Sequence, residues 1–228
     1  MNTPNMKGGP IPVNPDPNTP LNLLPFDGIV EDHGPLVAPA RADAWMQALL
    51  EAVPWQHDEV MMYGRRIVTA RQTAWYGDAG MCYRYSGITR QPMPWLPLLV
   101  RIRAQVQARL GPAVPVHFNS CLLNRYEDGS QGMSWHADDE PELGEAPVIA
   151  SLSLGATRKF VLRHRASGQK VGLMLEHGQL LVMRGATQRH WQHAIMKSTR
   201  VHAPRINLTF RVIMPAAGAA PGSVRARR

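Results

Sequence analysis

The run from 204 to 213 alternates without interruption: Arg205, Asn207, Thr209 and Arg211 fall on one parity, and Ile206, Leu208, Phe210 and Val212 on the other. Successive side chains of a strand point to opposite faces, so this run is a strand with one apolar and one strongly polar face. Two environments accommodate it. The polar face stands in water, as in an ordinary half-exposed strand, or it lines an interior. In the second case the two guanidiniums need an anion, because a buried charge without a partner is costly. The planar fork of Arg pairs bidentately with carboxylates, so a small dicarboxylate suits both arginines. Asn124 and Tyr126, also two residues apart, offer hydrogen-bonding groups from another strand.

The rest of the pattern says what kind of fold surrounds that strand. From residue 116 onward the period is two, and strands are expected at 116–126, 147–154, 158–164, 171–175, 179–184, 190–195 and 204–213. Many short strands with Gly-rich turns predict a mainly β fold with flanking helices and a double-sheet jelly-roll (double-stranded β-helix) core. Helices are expected over 39–52, where Trp45, Leu49 and Ala52 share a face, and from about 95 to 110, with Leu98, Leu99, Ile102 and Val106 on the buried stripe. Residues 1–20, rich in Pro and Asn, predict a disordered arm, and residues 215–228 a loose basic tail. With 228 residues, 44% of them hydrophobic, the chain is sized for one domain, expected over 21–214.

Composition narrows the setting. No apolar run approaches the roughly 18–20 residues of a membrane span, and the N-terminus has no basic segment followed by an apolar core. Cys82 and Cys121 are the two cysteines, expected as reduced thiols. These features predict an intracellular protein, cytoplasmic or, in a bacterium, nucleoid-associated. The formal net charge of +8 suits a polyanionic partner; no membrane contact and no protein partner are inferred.

His136 and Asp138, at i and i+2, present an imidazole and a carboxylate side by side if they lie on a strand. Structural zinc favours four protein ligands, often including Cys, and neither cysteine is suitably spaced. Two His and one carboxylate with open positions fit Fe(II) better. His164, His177, His190, His193 and His202 all follow the pair, and spacing alone does not choose among them.

Four segments in order, namely Asn124-Arg125-Tyr126-Glu127-Asp128-Gly129, His136-Ala137-Asp138-Asp139-Glu140, SLSLGATRKF at 151–160 and PRINLTFR at 204–211, together resemble the AlkB family of Fe(II)/2-oxoglutarate-dependent nucleic-acid dealkylases, nearest to its vertebrate-type DNA repair members. The resemblance covers roughly residues 55–213. It implies a single dioxygenase domain with a nucleotide-recognition lid at about 55–90 and a jelly-roll core at about 116–214. It implies His136, Asp138 and His193 as the catalytic iron ligands, with His190 the main competitor for the third place. It implies Asn124, Tyr126, Arg205, Thr209 and Arg211, with Asn207 nearby, as contacts of the co-substrate 2-oxoglutarate. In the lid, Tyr76–Gly80 is followed by Tyr83 and Tyr85, which would line a pocket for a flipped base. Asp139 and Glu140 would accept hydrogen bonds from the base. Met62 and Tyr63 would form a hairpin tip flanked by Arg65, Arg66 and Arg71. Chemistry on a base requires removing it from the stack, and interleaved aromatic and basic residues suit that task.

The implied reaction uses O2 and 2-oxoglutarate to demethylate bases such as 1-methyladenine and 3-methylcytosine in alkylated DNA, releasing formaldehyde, succinate and CO2. Two rivals stand beside it. An oxygenase for RNA, protein or a small molecule would share the iron centre but not need Tyr83 and Tyr85. A non-enzymatic β-sandwich that binds nucleic acid would be indifferent to loss of His136 or Asp138. The segment GMSW at 132–135 and the N-terminal arm have no assigned role.

Overall fold

A computed structural model describes residues 20–62, 65–81, 83–85 and 88–214, with side chains placed outside 59–67 and 82–90. The arm over 1–19, the tail over 215–228 and Tyr63 therefore lie outside the described residues. The elements are β1 (Ile29–Pro35), α1 (Pro39–Ala52), β2 (Gln56–Met62), β3 (Arg65–Gly77), β4 (Tyr83–Tyr85), β5 (Ile88–Arg90), α2 (Pro97–Leu110), β6 (Ser120–Tyr126), β7 (Met133–His136), β8 (Ile149–Gly155), β9 (Arg158–His164), β10 (Lys170–Leu175), β11 (Gln179–Arg184), α3 (Thr187–His190), β12 (Trp191–Ile195) and β13 (Arg205–Arg211).

Among the described residues the strands form a seven-stranded sheet in the order β1-β11-β8-β13-β6-β3-β2, a four-stranded sheet β10-β9-β12-β7 and the hairpin β4-β5. The named strand pairings are all antiparallel, as a jelly roll requires. No described helix is long and apolar enough to cross a membrane.

Both expected helices form. Each has Pro in its first turn, where the missing N–H removes no hydrogen bond. Ala42, Trp45 and Leu49 of α1 and Leu99, Ile102, Val106 and Leu110 of α2 are buried at three- and four-residue spacings. They pack on one face of the large sheet, against Leu123, Leu152, Val182, Ile206, Leu208 and Phe210 among others. Parity then sends Asn124, Tyr126, Ser151, Ser153 and the polar residues of β13 to the opposite face, towards the small sheet. There a second cluster, including Ile149, Leu162, Leu181, Met183 and Trp191, fills part of the gap between the sheets.

Strand ends shift by one to a few residues. The strand expected from 116 begins at Ser120. His190, expected on a strand, closes the one-turn helix α3. Strands that the two-residue period did not mark are β1, β2, β3, β7 and the hairpin β4-β5; β2 and β3 flank the expected hairpin tip, and β7 carries His136, whose pairing with Asp138 assumes a strand.

A buried Arg in β9 sets the position of the loop that leads into β7. Arg158 is only 1% exposed and donates to the carbonyl oxygens of Asp128, Gly129, Gln131 and Met196. The same loop is clamped from the other side, because Gly129 exchanges backbone hydrogen bonds with Val201 and Ser198. A Cβ on Gly129 would lie 2.1 Å from the Ser198 carbonyl oxygen, so only glycine fits. Arg158→Met strips this loop of its buried donors; an unfolding free energy lower by on the order of 3 kcal/mol in urea denaturation is expected, from unsatisfied buried acceptors at ~1–3 kcal/mol each.

Candidate metal and co-substrate site

His136 ends β7 and His193 lies directly opposite it on β12, their ring centroids 4.2 Å apart. Asp138 lies just past the end of β7, and its N–H donates to Gln188 Oε1 at 2.9 Å. The ligand atoms of the three side chains all lie within 4.8 Å of one another, and Asp138 and His193 are 5% and 6% exposed. His190 is not in this group.

The protonation states suit a cation. His136 Nδ1 lies 2.8 Å from the Ser134 carbonyl oxygen, an acceptor that fixes the proton on Nδ1 and leaves Nε2 free to ligate. Burial, then the neighbouring His136 and Arg211, push His193 down to about 3 against the opposing pull of Asp138, so its imidazole is neutral at pH 7. Burial pushes the Asp138 carboxyl up, but Arg211, His193 and His136 together outweigh it and hold it below the usual range. Arg211 Nη2 donates to Asp138 Oδ1 at 2.7 Å.

The polar face of β13 is buried, which decides between the two environments open to it from sequence. Arg205 is 1%, Asn207 9% and Thr209 7% exposed. Arg205 Nη2 donates to Asn207 Oδ1 and to Ser153 Oγ, Ser151 Oγ donates to the same Asn207 oxygen, and Asn207 Nδ2 donates to Thr209 Oγ1. Nε and Nη1 of Arg205, by contrast, are buried with no hydrogen-bond partner among the described residues. Burial pulls this guanidinium down to about 10, so it remains charged at neutral pH. A buried cation with unused donors suits an anionic ligand. The cavity it borders is also lined by His136, Asp138, His193, Asn124 and Tyr126.

The other sequence-derived candidates divide. Glu140 lines the same cavity, and its Oε2 is buried without a hydrogen-bond partner among the described residues. Asp139 points away and pairs with Arg165 at 2.8 Å. Arg71 lines the cavity and donates from Nε to Asn124 Oδ1. Met62 and Arg65 face each other across β2 and β3, and Tyr83 and Tyr85 lie on β4, all with only the backbone described. Sequence reasoning missed Asp58 on β2, buried at the cavity wall, and the supporting Ser151, Ser153 and Gln188. The serines alternate along β8 on the parity of β13's polar face, a readable signal; Gln188 carried none.

A two-His, one-carboxylate cluster beside a buried anion seat, between the sheets of a jelly roll, defines a non-haem iron oxygenase site. The chain matches the family model of the 2OG-Fe(II) oxygenase superfamily over residues 33–211. Mouse DNA oxidative demethylase ALKBH2 is 40% identical over 203 residues, covering 84% of this chain and 83% of that protein. Human ALKBH2 is 42% identical over 190 residues, covering 78% and 71%. Rat alpha-ketoglutarate-dependent dioxygenase alkB homolog 3 is 40% identical over 195 residues, 81% of this chain but only 64% of that protein's length. Among solved structures, that of OsALKBH1 superposes with a TM-score of 0.56 at 20% identity over 82% of this chain and 99% of that one, a likeness of fold. The chain belongs to the 2OG-Fe(II) oxygenase superfamily and, within it, to the AlkB family. Fe(II) is the cofactor, and 2-oxoglutarate and O2 the co-substrates, that this family implies; the donor set fits the iron and the unused donors of Arg205 fit 2-oxoglutarate.

Burying His193 neutral has a consequence for the metal-free protein. An unfolded His takes up a proton near its ordinary 6.5, while the folded one resists until about 3. Between these values the unfolded chain binds more protons, so stability falls as pH drops. Urea unfolding of metal-free protein is expected to give a lower midpoint at pH 5 than at pH 7.5, with a smaller loss in His193→Asn.

Proposed function

We propose that the protein is an oxidative demethylase of N-alkylated bases in DNA, of the 1-methyladenine and 3-methylcytosine type. The observation that carries this is the buried Arg205 with unused donors beside the His136, Asp138 and His193 cluster, in a chain about 40% identical to relatives named DNA oxidative demethylase. His136, Asp138 and His193 hold Fe(II). Arg205 takes a carboxylate of 2-oxoglutarate through its unused donors, while Asn207 and Ser153 keep Nη2 engaged. Asn124 and Tyr126 border the same ligand. Arg211 keeps Asp138 ionised and aimed, and adds positive charge near the diacid.

Bound iron supplies the chemistry by which O2 is reduced at the expense of 2-oxoglutarate and the substrate's methyl group. One oxygen atom ends in succinate, with loss of CO2. The other enters the N-methyl group as a hydroxyl, and the N-hydroxymethyl base then releases formaldehyde. The protein's part is to orient the methyl group, exclude water and read the base. Glu140, whose Oε2 is buried at the cavity wall without a hydrogen-bond partner among the described residues, is the acceptor for an exocyclic amine. Tyr83 and Tyr85 form the stacking walls; Met62, Tyr63 and Arg65 belong to the part that meets the strand. The compartment consistent with this substrate, and with the free buried thiol of Cys121, is a cytoplasm or nucleoid.

The test is an aerobic assay with Fe(II), 2-oxoglutarate and an oligonucleotide carrying 1-methyladenine, following formaldehyde and succinate in parallel. Both products are expected, and both should vanish in His136→Ala. Succinate without base repair would redirect the search to another substrate class, and neither product from folded, metal-loaded protein would refute the enzymatic reading. In the same assay Glu140→Gln is expected to lower kcat/KM for the methylated base about tenfold or more, the loss of a hydrogen bond to a charged group worth ~1.5–3 kcal/mol, with the affinity for 2-oxoglutarate unchanged.

A further inference from the structure

We propose that Asp27, His164 and His190 form a second metal site, taking a divalent cation of the zinc type and pinning the segment before β1 to the small sheet. Their ligand atoms all lie within 4.8 Å of one another. None of the three residues lines the cavity of the first centre. Asp27 comes from the N-terminal segment, His164 from the end of β9 and His190 from the end of α3, so one ion would join three stretches far apart in sequence.

The atoms converge on one another without satisfying one another. His164 Nε2 is buried and 3.3 Å from Asp27 Oδ2, yet it has no hydrogen-bond partner among the described residues. His164 as a whole is 6% exposed. Two donor atoms a little over 3 Å apart, aimed past each other, are spaced as neighbours around a cation with bonds of roughly 2.0–2.2 Å. The His164 and His190 rings lie nearly parallel, 22° apart in orientation. Asp27 is the one non-glycine residue with positive φ among those described, at 52°.

The surroundings hold the ligands in place. The Phe26 ring stands edge-on to His164, and the Phe26 carbonyl accepts from Trp191 Nε1 at 3.1 Å. Trp191 itself sits opposite His164 across β12 and β9. Thr187 Oγ, at the start of α3, accepts from the Ile29 N–H at 2.8 Å. A Cβ on Gly28 would lie 2.9 Å from that hydroxyl, so the chain passes close against α3. The short helix is thus latched to the N-terminal segment at Thr187, and a cation would latch it again at His190.

The donor set narrows the class of ion. Two imidazoles and a carboxylate favour a borderline first-row cation such as Zn(II) or Co(II) over Ca(II) or Mg(II), which prefer all-oxygen sites. The exposed side of Asp27 leaves room for water as the remaining ligand. Ser167 donates its N–H to His164 Nδ1 at 3.1 Å, and its hydroxyl oxygen lies 2.9 Å from the same nitrogen. With Nδ1 accepting, the ring proton sits on Nε2, towards Asp27. An ion on Nε2 would displace that proton to Nδ1, where the Ser167 hydroxyl oxygen is placed to accept it in place of the N–H bond.

Zn(II) titration of the metal-stripped full chain, without a histidine tag, separates these cases. Bound metal per chain is read by elemental analysis after gel filtration, and thermal melting is followed alongside. Wild type is expected to retain two equivalents, and Asp27→Asn and His190→Asn one each. His136→Ala, which disables the first centre, should keep one equivalent and still melt several degrees higher with Zn(II), because the ion binds only the folded chain. Combining Asp27→Asn with His136→Ala should abolish both the metal and the shift. A single equivalent in wild type, or retention and melting shift in His136→Ala that survive Asp27→Asn, would overturn the proposal.

Discussion

The hydrogen-bonded ion pair between Arg211 and Asp138, 2.7 Å long, spans the gap between the two sheets. Asp138 follows β7 of the small sheet and Arg211 ends β13 of the large one. Each charge alone would be costly to bury; together they survive there because each neutralises and hydrogen-bonds the other. The pair also sets the chemistry. A carboxylate as enclosed as Asp138 tends to take up a proton, and a protonated acid is a poor metal ligand. Arg211, with His193 and His136, reverses that tendency, so the ligand set is ready before any ion arrives.

From this pair inward, the interior is graded by charge. The cationic arginines sit on β13, the imidazoles of His136 and His193 on the facing strands, and the relay through Asn207 and Thr209 ties off the donors that no ligand needs. The two sheets contribute unlike parts. The large sheet brings the groups that attract an anion, and the small sheet brings most of those that hold a cation. Bringing them together is the work of the aliphatic cluster between the sheets and of the Arg158-clamped loop.

Much of this was legible in the chain, and the failures have physical causes. The alternation of β13 gave its two faces, but not what covers the polar one, because the cover is assembled from residues distant in sequence. His190 and His193 could not be separated by spacing alone, since a single helical turn such as α3 leaves no periodic signal; its end at His190 is what parts them. His136 and Asp138 do converge, although Asp138 lies beyond the strand on which their pairing was argued. Asp139 and Glu140 are adjacent and looked equivalent, yet one faces Arg165 at the surface and the other the cavity. β7 is four residues long and β3 is studded with Arg, Thr and Gln, so neither gave a strand pattern.

β3 belongs to two structures at once. Its second half, Gln72–Gly77, is held between β2 and β6 or against β6, inside the large sheet. Its first half pairs with β2 alone, and a register shift between His57 and Glu59 falls where the two halves meet. The outer half is a two-stranded ribbon whose register is not dictated by the core. Its sequence can therefore drift without disturbing the strands that carry the centre. A chain built this way keeps its costly buried charges in one part of a sheet and leaves another part of the same sheet free to change.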